Sequence, residues 1–170
     1  LWSVVWMCLF RPTPRPLHRW RAMLLRIFGA CIGKRVRIYQ SARIWAPWNL
    51  EMQDDSCLGD YVDCLNVGRV VLKQSAVVSQ YCYLCAAGRD YRDPDLPLLS
   101  GPIVVGEHAW VTAAAFVGPG VTIGDWSVIT ANSAVFHDVA PWTVTGGNPA
   151  VFIRERVLYD QAKEADQQPS

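Results

Sequence analysis

Aliphatic residues recur at every sixth position along most of the chain. From residue 105 the sequence divides into the hexads VGEHAW, VTAAAF, VGPGVT, IGDWSV, ITANSA and VFHDVA. Their first residues are all aliphatic: Val105, Val111, Val117, Ile123, Ile129 and Val135. Their fifth residues are small or of medium size: Ala109, Ala115, Val121, Ser127, Ser133 and Val139. This regularity indicates one repeated structural unit.

The same period occurs earlier in the chain, in three sets of three hexads. These sets open at Ile32, Ile38 and Ile44, at Met52, Leu58 and Cys64, and at Leu72, Val78 and Leu84. Each set reads as one triangular coil of three short strands whose first side chains point inward. An amphipathic helix would need apolar residues at i, i+3, i+4 and i+7, and a half-buried strand would alternate strictly. The period of six therefore predicts an all-β solenoid, a parallel β-helix in which stacked coils form a continuous core.

Glycine often occupies the second place of a hexad, at Gly33, Gly59, Gly106, Gly118 and Gly124. We expect these residues to provide the backbone freedom that a chain needs to turn every few residues.

The segments on either side of the repeat predict helices. A proline-rich break precedes residues 17–28, and Gly29 ends the predicted helix. Its apolar residues recur at helical spacing: Leu17, Trp20, Met23, Leu24 and Ile27. We expect this stripe to cap the open end of the solenoid rather than to anchor the chain in a membrane. After Pro149, the sequence AVFIRERVLYDQAKEADQQ predicts a short C-terminal helix that frays into a polar tail.

The predicted organisation is therefore a helical cap at residues 1–30, a β-helix at 31–140 with an extended loop at 86–102, and a C-terminal helix and tail at 141–170. The loop interrupts the repeat with the polar stretch YLCAAGRDYRDP. A composition of 51% hydrophobic and 18% charged residues is typical of a globular protein rather than a disordered one.

Charge is distributed unevenly along the chain. The net charge is +1, yet residues 1–50 contain no Asp or Glu and carry nine of the sixteen Lys and Arg residues. The N-terminal third is thus expected to present a positive surface to lipid headgroups, phosphates or the acidic part of a neighbouring subunit. The opening LWSVVWMCLF is about half as long as a membrane-spanning helix needs to be, so no span is expected there.

Six cysteines lie at irregular spacing, and we expect them to be reduced thiols, as in a cytoplasmic protein. Cys82 and Cys85 form a CxxC pair, but a second pair and a nearby histidine are missing from the sequence, so we predict no metal site. The sequence also has no phosphate-binding or dinucleotide-binding glycine motif, and nothing in it indicates nucleic-acid binding.

The hexads, together with PGVTIGD and GGNPA, resemble the hexapeptide-repeat acyltransferases. The segments IWAPWNLEM, SQYCYLC, RDYRDPDLPL and AWVTAAAFVGPGV are similar to the exopolysaccharide O-acetyltransferases of the colanic-acid biosynthesis type. The resemblance implies a left-handed β-helix, although crossovers between parallel strands are normally right-handed. It also implies a homotrimer that holds acetyl-coenzyme A in a groove between adjacent solenoids, with the extended loop reaching toward a neighbouring subunit.

The family's general base is a histidine in this loop, in a Gly-His-Asp or Ser-His-Asp context, and the matching position here is Arg89. A guanidinium has no free lone pair near neutral pH and cannot accept the proton of a sugar hydroxyl. Three readings stay open: an inactive form of an acetyltransferase, a base supplied by another group, or an arginine that binds an anionic acceptor. His18 lies in the predicted N-terminal helix, and His108 and His137, at outward hexad positions, are expected to be solvated or interface residues rather than replacement bases.

The resemblance and the loop chemistry give the other candidate residues, each with an alternative. Asp90 is expected either to orient the catalytic site or to pair with Arg89. Asn66 matches an asparagine that binds the acceptor in related enzymes, but it also suits the cap of a turn. Tyr91 and Trp110 suit a sugar or pantetheine surface, or simple loop packing. Asp93 is a further candidate for contact with the acceptor.

For the coenzyme, the resemblance implies that the backbone at Ala113 and Ala131 and the neighbourhood of His137 follow the pantetheine arm. Arg154 matches a basic residue that neutralises the phosphates, the alternative being an exposed arginine without a ligand. The expected activity is acetyl-coenzyme A-dependent O-acetylation of a sugar or lipid-linked oligosaccharide, with peripheral contact at the cytoplasmic membrane face. The alternative is a non-catalytic protein of the same fold that binds coenzyme A or sugar.

Overall fold

The computed structural model of the chain describes residues 1–159, and its strands wrap into a left-handed parallel β-helix with three flat faces. The first face comprises β1 (Cys31–Ile32), β4 (Leu50–Met52), β7 (Val70–Leu72), β12 (Ile103–Val105) and β15 (Thr122–Ile123). The second comprises β2 (Arg37–Ile38), β5 (Cys57–Leu58), β8 (Val77–Val78), β13 (Trp110–Val111), β16 (Val128–Ile129), β18 (Thr143–Gly147) and β19 (Ala150–Glu155). The third comprises β3 (Arg43–Ile44), β6 (Asp63–Leu65), β9 (Tyr83–Cys85), β14 (Phe116–Val117) and β17 (Ala134–Val135).

The core confirms the period-six prediction. From Val105 to Val135, the first residue of every hexad is at most 1% exposed, and every fifth residue is buried too. In the upstream coils the first residue of each hexad is also buried, except Ile32, which is partly buried against the core, whereas the fifth residue Trp48 is exposed. Parallel pairs such as Val105↔Ile123 and Leu58↔Val78 keep the coils in register, because each coil repeats the inward position of the one before.

The structure of the corners corrects the expectation that glycines in the second place of a hexad make the turns. The chain turns on non-glycine residues with positive φ, for example Asp55 at 61°, His108 at 53° and Trp126 at 60°. Gly106 is required for another reason, since a Cβ there would lie 2.6 Å from the backbone nitrogen of Asp125 in the next coil. Its small size therefore permits close stacking of coils and does not make the turn.

The predicted N-terminal cap is present and closes the first coil. It consists of α1 (Trp2–Val5), a π-helical turn (Trp6–Phe10) and α2 (His18–Ile27). Trp2 and Phe10 join the solenoid core, and the Trp2 indole donates a hydrogen bond to the Ile44 carbonyl at 2.6 Å. The fully buried Arg21 donates from Nε to the Ile38 carbonyl at 2.6 Å, which ties α2 to β2. No helix in the described part of the chain is long and apolar enough to cross a bilayer.

The stripe predicted to face inward from this cap is mostly exposed, which corrects its expected orientation. Of its residues only Leu24 is buried, whereas Trp20, Met23 and Ile27 are 39%, 40% and 68% exposed. The buried side of α2 is formed by Arg21, Ala22, Leu24 and Leu25. The helical spacing was correct, but sequence alone did not show that Arg21 would point into the fold.

The prediction of a C-terminal helix is wrong over residues 150–155, which form β19 and pair antiparallel with β18. β18 itself continues the parallel stacking on β16, so the solenoid extends beyond the expected boundary at residue 140. The edge of β18 needs hydrogen-bond partners, and the run of β-branched and aromatic residues at Val151, Phe152 and Ile153 suits a strand. The rest of the predicted helix and tail, from residue 160, lies outside the described residues.

Candidate functional site

The expected extended loop is a two-stranded arm that leaves the solenoid at the corner between the third and first faces. It comprises β10 (Ala87–Arg89) and β11 (Leu98–Ser100), paired antiparallel with Arg89 opposite Leu98. Its root is fixed because Gly101 and Gly68 both donate backbone hydrogen bonds to the Ala86 carbonyl. Beyond the root, residues 91–100 are all exposed.

Arg89 stands on this arm at the end of β10, with its side chain exposed. Its Nη1 donates a hydrogen bond to the Leu96 carbonyl at 2.7 Å, so the guanidinium closes the arm on itself. This contact uses one of five N–H donors, and within residues 1–159 the other four have no partner, so they can meet an anion or a developing oxyanion. The group at this position can therefore donate hydrogen bonds, but it cannot accept a proton.

The acidic residues of the arm pair locally. Asp90 forms a salt bridge with Arg92 at 2.9 Å rather than with Arg89, which corrects one of the two expectations for it. Hydrogen bonds from Arg92 lower the pKa of Asp90. Asp93 accepts the backbone N–H of Asp95 at 2.9 Å and so shapes the turn of the arm. Tyr91 is 86% exposed, which leaves its ring available to a ligand or to another subunit.

Asn66 lies at the same corner, one coil before the arm, and is completely buried. Its Oδ1 accepts the Ala46 N–H at 2.9 Å, and its Nδ2 donates to the Ala46 carbonyl at 2.6 Å. Both ends of the amide therefore hold two successive coils together. This geometry favours the turn-capping role over contact with an acceptor.

Two of the residues expected at the coenzyme lie on the second face. Trp110, Val128, Val144 and Arg154 are direct neighbours across the strands of this face. The Trp110 indole donates to the Ser79 hydroxyl at 2.9 Å, and its ring is 45% exposed. Within residues 1–159 the exposed Arg154 side chain makes no hydrogen bond or ion pair, so it is free to bind a phosphate.

The other three expected coenzyme residues lie beside the second face. Ala113 and Ala131 occupy the corner between the second and third faces in successive coils, where Asn132 donates its N–H to the Ala113 carbonyl at 3.0 Å. His137 follows β17 and lines a cleft of about 230 Å³ with Thr143 and Phe152. Ala113 and Ala131 thus border the second face, and His137 lies against its strands β18 and β19, so all five residues lie on or beside this face.

A strip of outward side chains on the third face was missed by the sequence reasoning. Arg43, Asp63, Tyr83 and Phe116 are direct neighbours across successive strands, beside the root of the arm. Burial, with a smaller effect of the neighbouring Cys85 thiol, raises the pKa of Tyr83 to about 12. Its phenol is therefore protonated at neutral pH and does not replace the missing base. The signal was present in the sequence, because these residues immediately precede the inward position of each hexad.

The thiols are free, and the CxxC pair does not act as a unit. Cys82 Sγ donates to the Thr112 carbonyl and Cys85 Sγ to the Ala87 carbonyl, both at 3.0 Å. Burial raises the pKa of Cys57, Cys64 and Cys82, which keeps these thiols protonated. Across residues 1–159, His, Cys, Asp and Glu form no cluster of three or more suited to a metal ion.

Comparison with known proteins gives relatives that cover most of the chain. The Escherichia coli K12 protein named "Putative colanic acid biosynthesis acetyltransferase WcaF" is 44% identical over 157 residues, which are 92% of this chain and 86% of the relative. No protein-family profile matches the chain.

Solved structures share the architecture at lower sequence identity. A maltose O-acetyltransferase from Clostridium difficile 630 is 23% identical with a TM-score of 0.77, over 92% of this chain and 86% of that one. A hexapeptide-repeat acetyltransferase from Vibrio cholerae, solved with acetyl-coenzyme A, is 22% identical with a TM-score of 0.79, over 92% of this chain and 85% of that one. At these identities the likeness establishes the fold.

Proposed function

The chain belongs to the hexapeptide-repeat acetyltransferases of the colanic-acid type, and on that premise we propose that it uses acetyl-coenzyme A to acetylate a sugar hydroxyl in cell-surface polysaccharide assembly. The observation that carries the proposal is the arm at residues 87–100, which projects from a solenoid of this family at the position expected for the catalytic loop. The relative's name supports the polysaccharide context, and the Vibrio cholerae complex supports the acetyl donor.

The chain's own residues suit such a donor. Within residues 1–159 Arg154 is unpaired and offers its guanidinium to a phosphate, and Trp110 offers an exposed ring to the pantetheine arm. The sugar hydroxyl oxygen attacks the thioester carbon, the new C–O bond forms, and the C–S bond breaks to release the thiolate. The hydroxyl proton must be accepted during attack and finally reaches the thiolate.

Arg89 limits this reaction. The side chain can donate hydrogen bonds to the carbonyl oxygen as it becomes negative, or to an acidic group on the acceptor. It cannot take the hydroxyl proton, and general-base assistance contributes roughly a hundred- to ten-thousand-fold. We therefore expect weak turnover in the native chain.

The assembly that this function requires is a homotrimer. Two features support it: the arm and the coenzyme candidates Trp110 and Arg154 lie on different sides of one chain, and the arm exposes Tyr91, Leu98 and Leu99 at 86%, 59% and 47%. A neighbouring solenoid would cover these apolar side chains and complete the site between subunits. Peripheral contact with the cytoplasmic face of the inner membrane would place the chain beside a lipid-linked oligosaccharide acceptor.

The test is thiol release from acetyl-coenzyme A in the presence of a panel of sugars. We expect Arg89→His to raise the rate by about a hundredfold or more, because the imidazole restores a base. Arg89→Gln is the matched control: it also removes the contact with Leu96 but supplies no base, so it should give no gain. Brisk turnover by the native chain, without improvement in Arg89→His, would show that the base lies elsewhere.

A second function is favoured by the same arginine, namely binding of coenzyme A or sugar without catalysis. Calorimetric titration separates the two proposals. Tight binding of coenzyme A together with no turnover in either the native chain or Arg89→His favours the binding protein. Failure to bind coenzyme A contradicts acetyl transfer and coenzyme binding, and titration with the same panel of sugars then tests sugar binding alone.

A further inference from the structure

The outward side of the N-terminal cap is an apolar surface with a cationic border. On α2, Trp20, Met23 and Ile27 point away from the solenoid, and Arg19 and Arg26 are exposed beside them. The Trp20 indole donates to the Leu9 carbonyl at 2.9 Å, which joins α2 to the preceding turn. Val4, Met7 and Leu9 in that first segment are 62%, 64% and 48% exposed. We call the exposed side chains of residues 4–9 and 19–27 the cap face.

The cap face has no negative charge of its own. A groove of about 720 Å³ runs along it, lined by Trp20, Met23, Arg19, Arg26 and Lys34 among others. Within the described residues, Arg19, Arg26 and Lys34 pair with no carboxylate, whereas Arg35, which also lines the groove, pairs with Asp55. Arg26 is held in place by donating to the carbonyls of Ile32 and Gly33 at 2.8 and 2.7 Å. Cations around an exposed apolar strip, one of them held in place, are suited to a surface that is anionic outside and apolar beneath.

An anionic bilayer has this chemistry. Tryptophan prefers the boundary between headgroups and acyl chains, and amphipathic helices lie in that plane with their apolar side buried about 5–10 Å deep. Each Lys or Arg near an anionic leaflet adds attraction that falls off within a Debye length. A second copy of the chain docked face to face would instead bring two cationic borders together, which disfavours self-association through the cap face.

We propose that the cap face docks the protein on an anionic membrane surface, with Trp20, Met23 and Ile27 inserted at the interface and Arg19, Arg26 and Lys34 on lipid phosphates. This inference rests on the membrane contact in the proposed function and gives it a defined surface. The cap then holds the solenoid by its first coil, so that the arm, beyond the third coil, stands above the headgroups.

The test is flotation of the full chain with vesicles of phosphatidylethanolamine and phosphatidylglycerol, compared with neutral phosphatidylcholine vesicles. We expect the native chain to float with the anionic vesicles only, and less at high salt. Met23→Ser with Ile27→Ser should reduce binding by about tenfold or more, since two apolar side chains no longer insert. Val67→Ser with Val157→Ser removes exposed apolar side chains, 44% and 62% exposed, away from the cap face and should bind like the native chain.

Several outcomes would overturn the docking proposal. Native chain that stays with neither vesicle, or a Met23→Ser/Ile27→Ser variant with unchanged flotation and an unchanged thermal midpoint, would do so. A native complex larger than a trimer that dissociates in the Met23→Ser/Ile27→Ser variant would also overturn the proposal, because the cap face would then bind protein rather than lipid. Thiol release with a soluble sugar, measured in the Arg89→His background, is independent of lipid, so loss of flotation with turnover intact leaves the proposed acetyl transfer standing.

Discussion

Single side chains determine both the chemistry of the arm and the stacking of the coils. At position 89 a guanidinium replaces the expected imidazole, and its bond to the Leu96 carbonyl keeps the arm closed while offering no base. At the corners, aspartates act across coils: Asp54 accepts the Lys34 N–H and Asp125 accepts the Glu107 N–H, each at 2.8 Å. The same coil geometry that excludes a Cβ at Gly106 brings these carboxylates within reach of backbone donors.

Asp125 gives a prediction about stability and pH. The Glu107 N–H, with a smaller contribution from Lys73, lowers the pKa of Asp125 in the fold. A depressed folded pKa means that this stabilisation is present above the unfolded value of about 3.9 and is lost as pH falls through the folded pKa. Asp125→Asn should therefore lower the free energy of unfolding by up to about 1 kcal/mol at neutral pH, because the half-exposed carboxylate is screened. The difference should vanish near pH 2.

Urea titrations at both pH values measure this effect. Asp95→Asn is the matched control, since the Asp95 carboxylate lies exposed on the arm and makes no hydrogen bond within residues 1–159. It should leave stability unchanged at both pH values. An Asp125→Asn cost that is the same at pH 7 and pH 2 would mean that side-chain shape, rather than charge, supports the corner.

At the scale of elements, the period of the sequence predicted the inward positions of the strands. It did not predict features that depend on contacts between elements, such as the orientation of α2 and the strand β19. Every inward position from Val105 to Val135 was identified, because with a spacing of six the coils can stack only when these aliphatic side chains point into the core. The outward direction of Trp20 was missed, since helical spacing fixes which residues share a side but not which side faces the core. The strand β19 was read as helix because its partner, the free edge of β18, is visible only in the fold.

The candidate site shows the same division. The interruption and its arm were found from the break in the period, and Arg89 from the resemblance. The pairing of Asp90 with Arg92, and the locking of both ends of the Asn66 amide by Ala46, depend on side-chain directions that no period records. The strip from Arg43 to Phe116 needed the register of separate coils.

The arm itself should be separable from the stability of the solenoid. Replacing residues 90–97 by Asn-Gly keeps β10 and β11 and closes them with a tight turn. We expect the free energy of unfolding to change by less than about 1 kcal/mol, because residues 91–97 are exposed and bury no core side chain. In the Arg89→His background, thiol release should fall by about a hundredfold, since Tyr91 and Asp93 are lost and the base is no longer positioned.

Unchanged affinity for coenzyme A in the same variant, measured by calorimetry, would show that the groove is intact. A large loss of stability would mean that the arm packs on the solenoid more than its exposure indicates. Full turnover without residues 90–97 would remove the arm from the active site.

At the scale of the whole molecule, one chain presents the parts of a site without bringing them together. The arm leaves the corner between the third and first faces, whereas Trp110 and Arg154 lie on the second face. A rotation that places the arm of one subunit against the coenzyme residues of the next would join them, and a closed ring repeats that contact at every interface. Three chains of 19.0 kDa would then share three equivalent sites.

Mixing two defective subunits tests this sharing directly. One carries the Asn-Gly replacement of the arm, and the other carries Arg89→His together with Arg154→Ala, which removes the proposed phosphate contact. Suppose that each site takes its arm and its coenzyme residues from different subunits. Random assembly of equal amounts then pairs an intact arm with an intact Arg154 in about a quarter of the sites. Co-refolding should therefore restore about a quarter of the turnover of an Arg89→His homotrimer. Thiol release below saturating acetyl-coenzyme A reports the recovery, and native mass spectrometry counts the mixed trimers. Mixed trimers without recovered turnover would mean that the arm serves its own chain, and the assembly would then have no catalytic role.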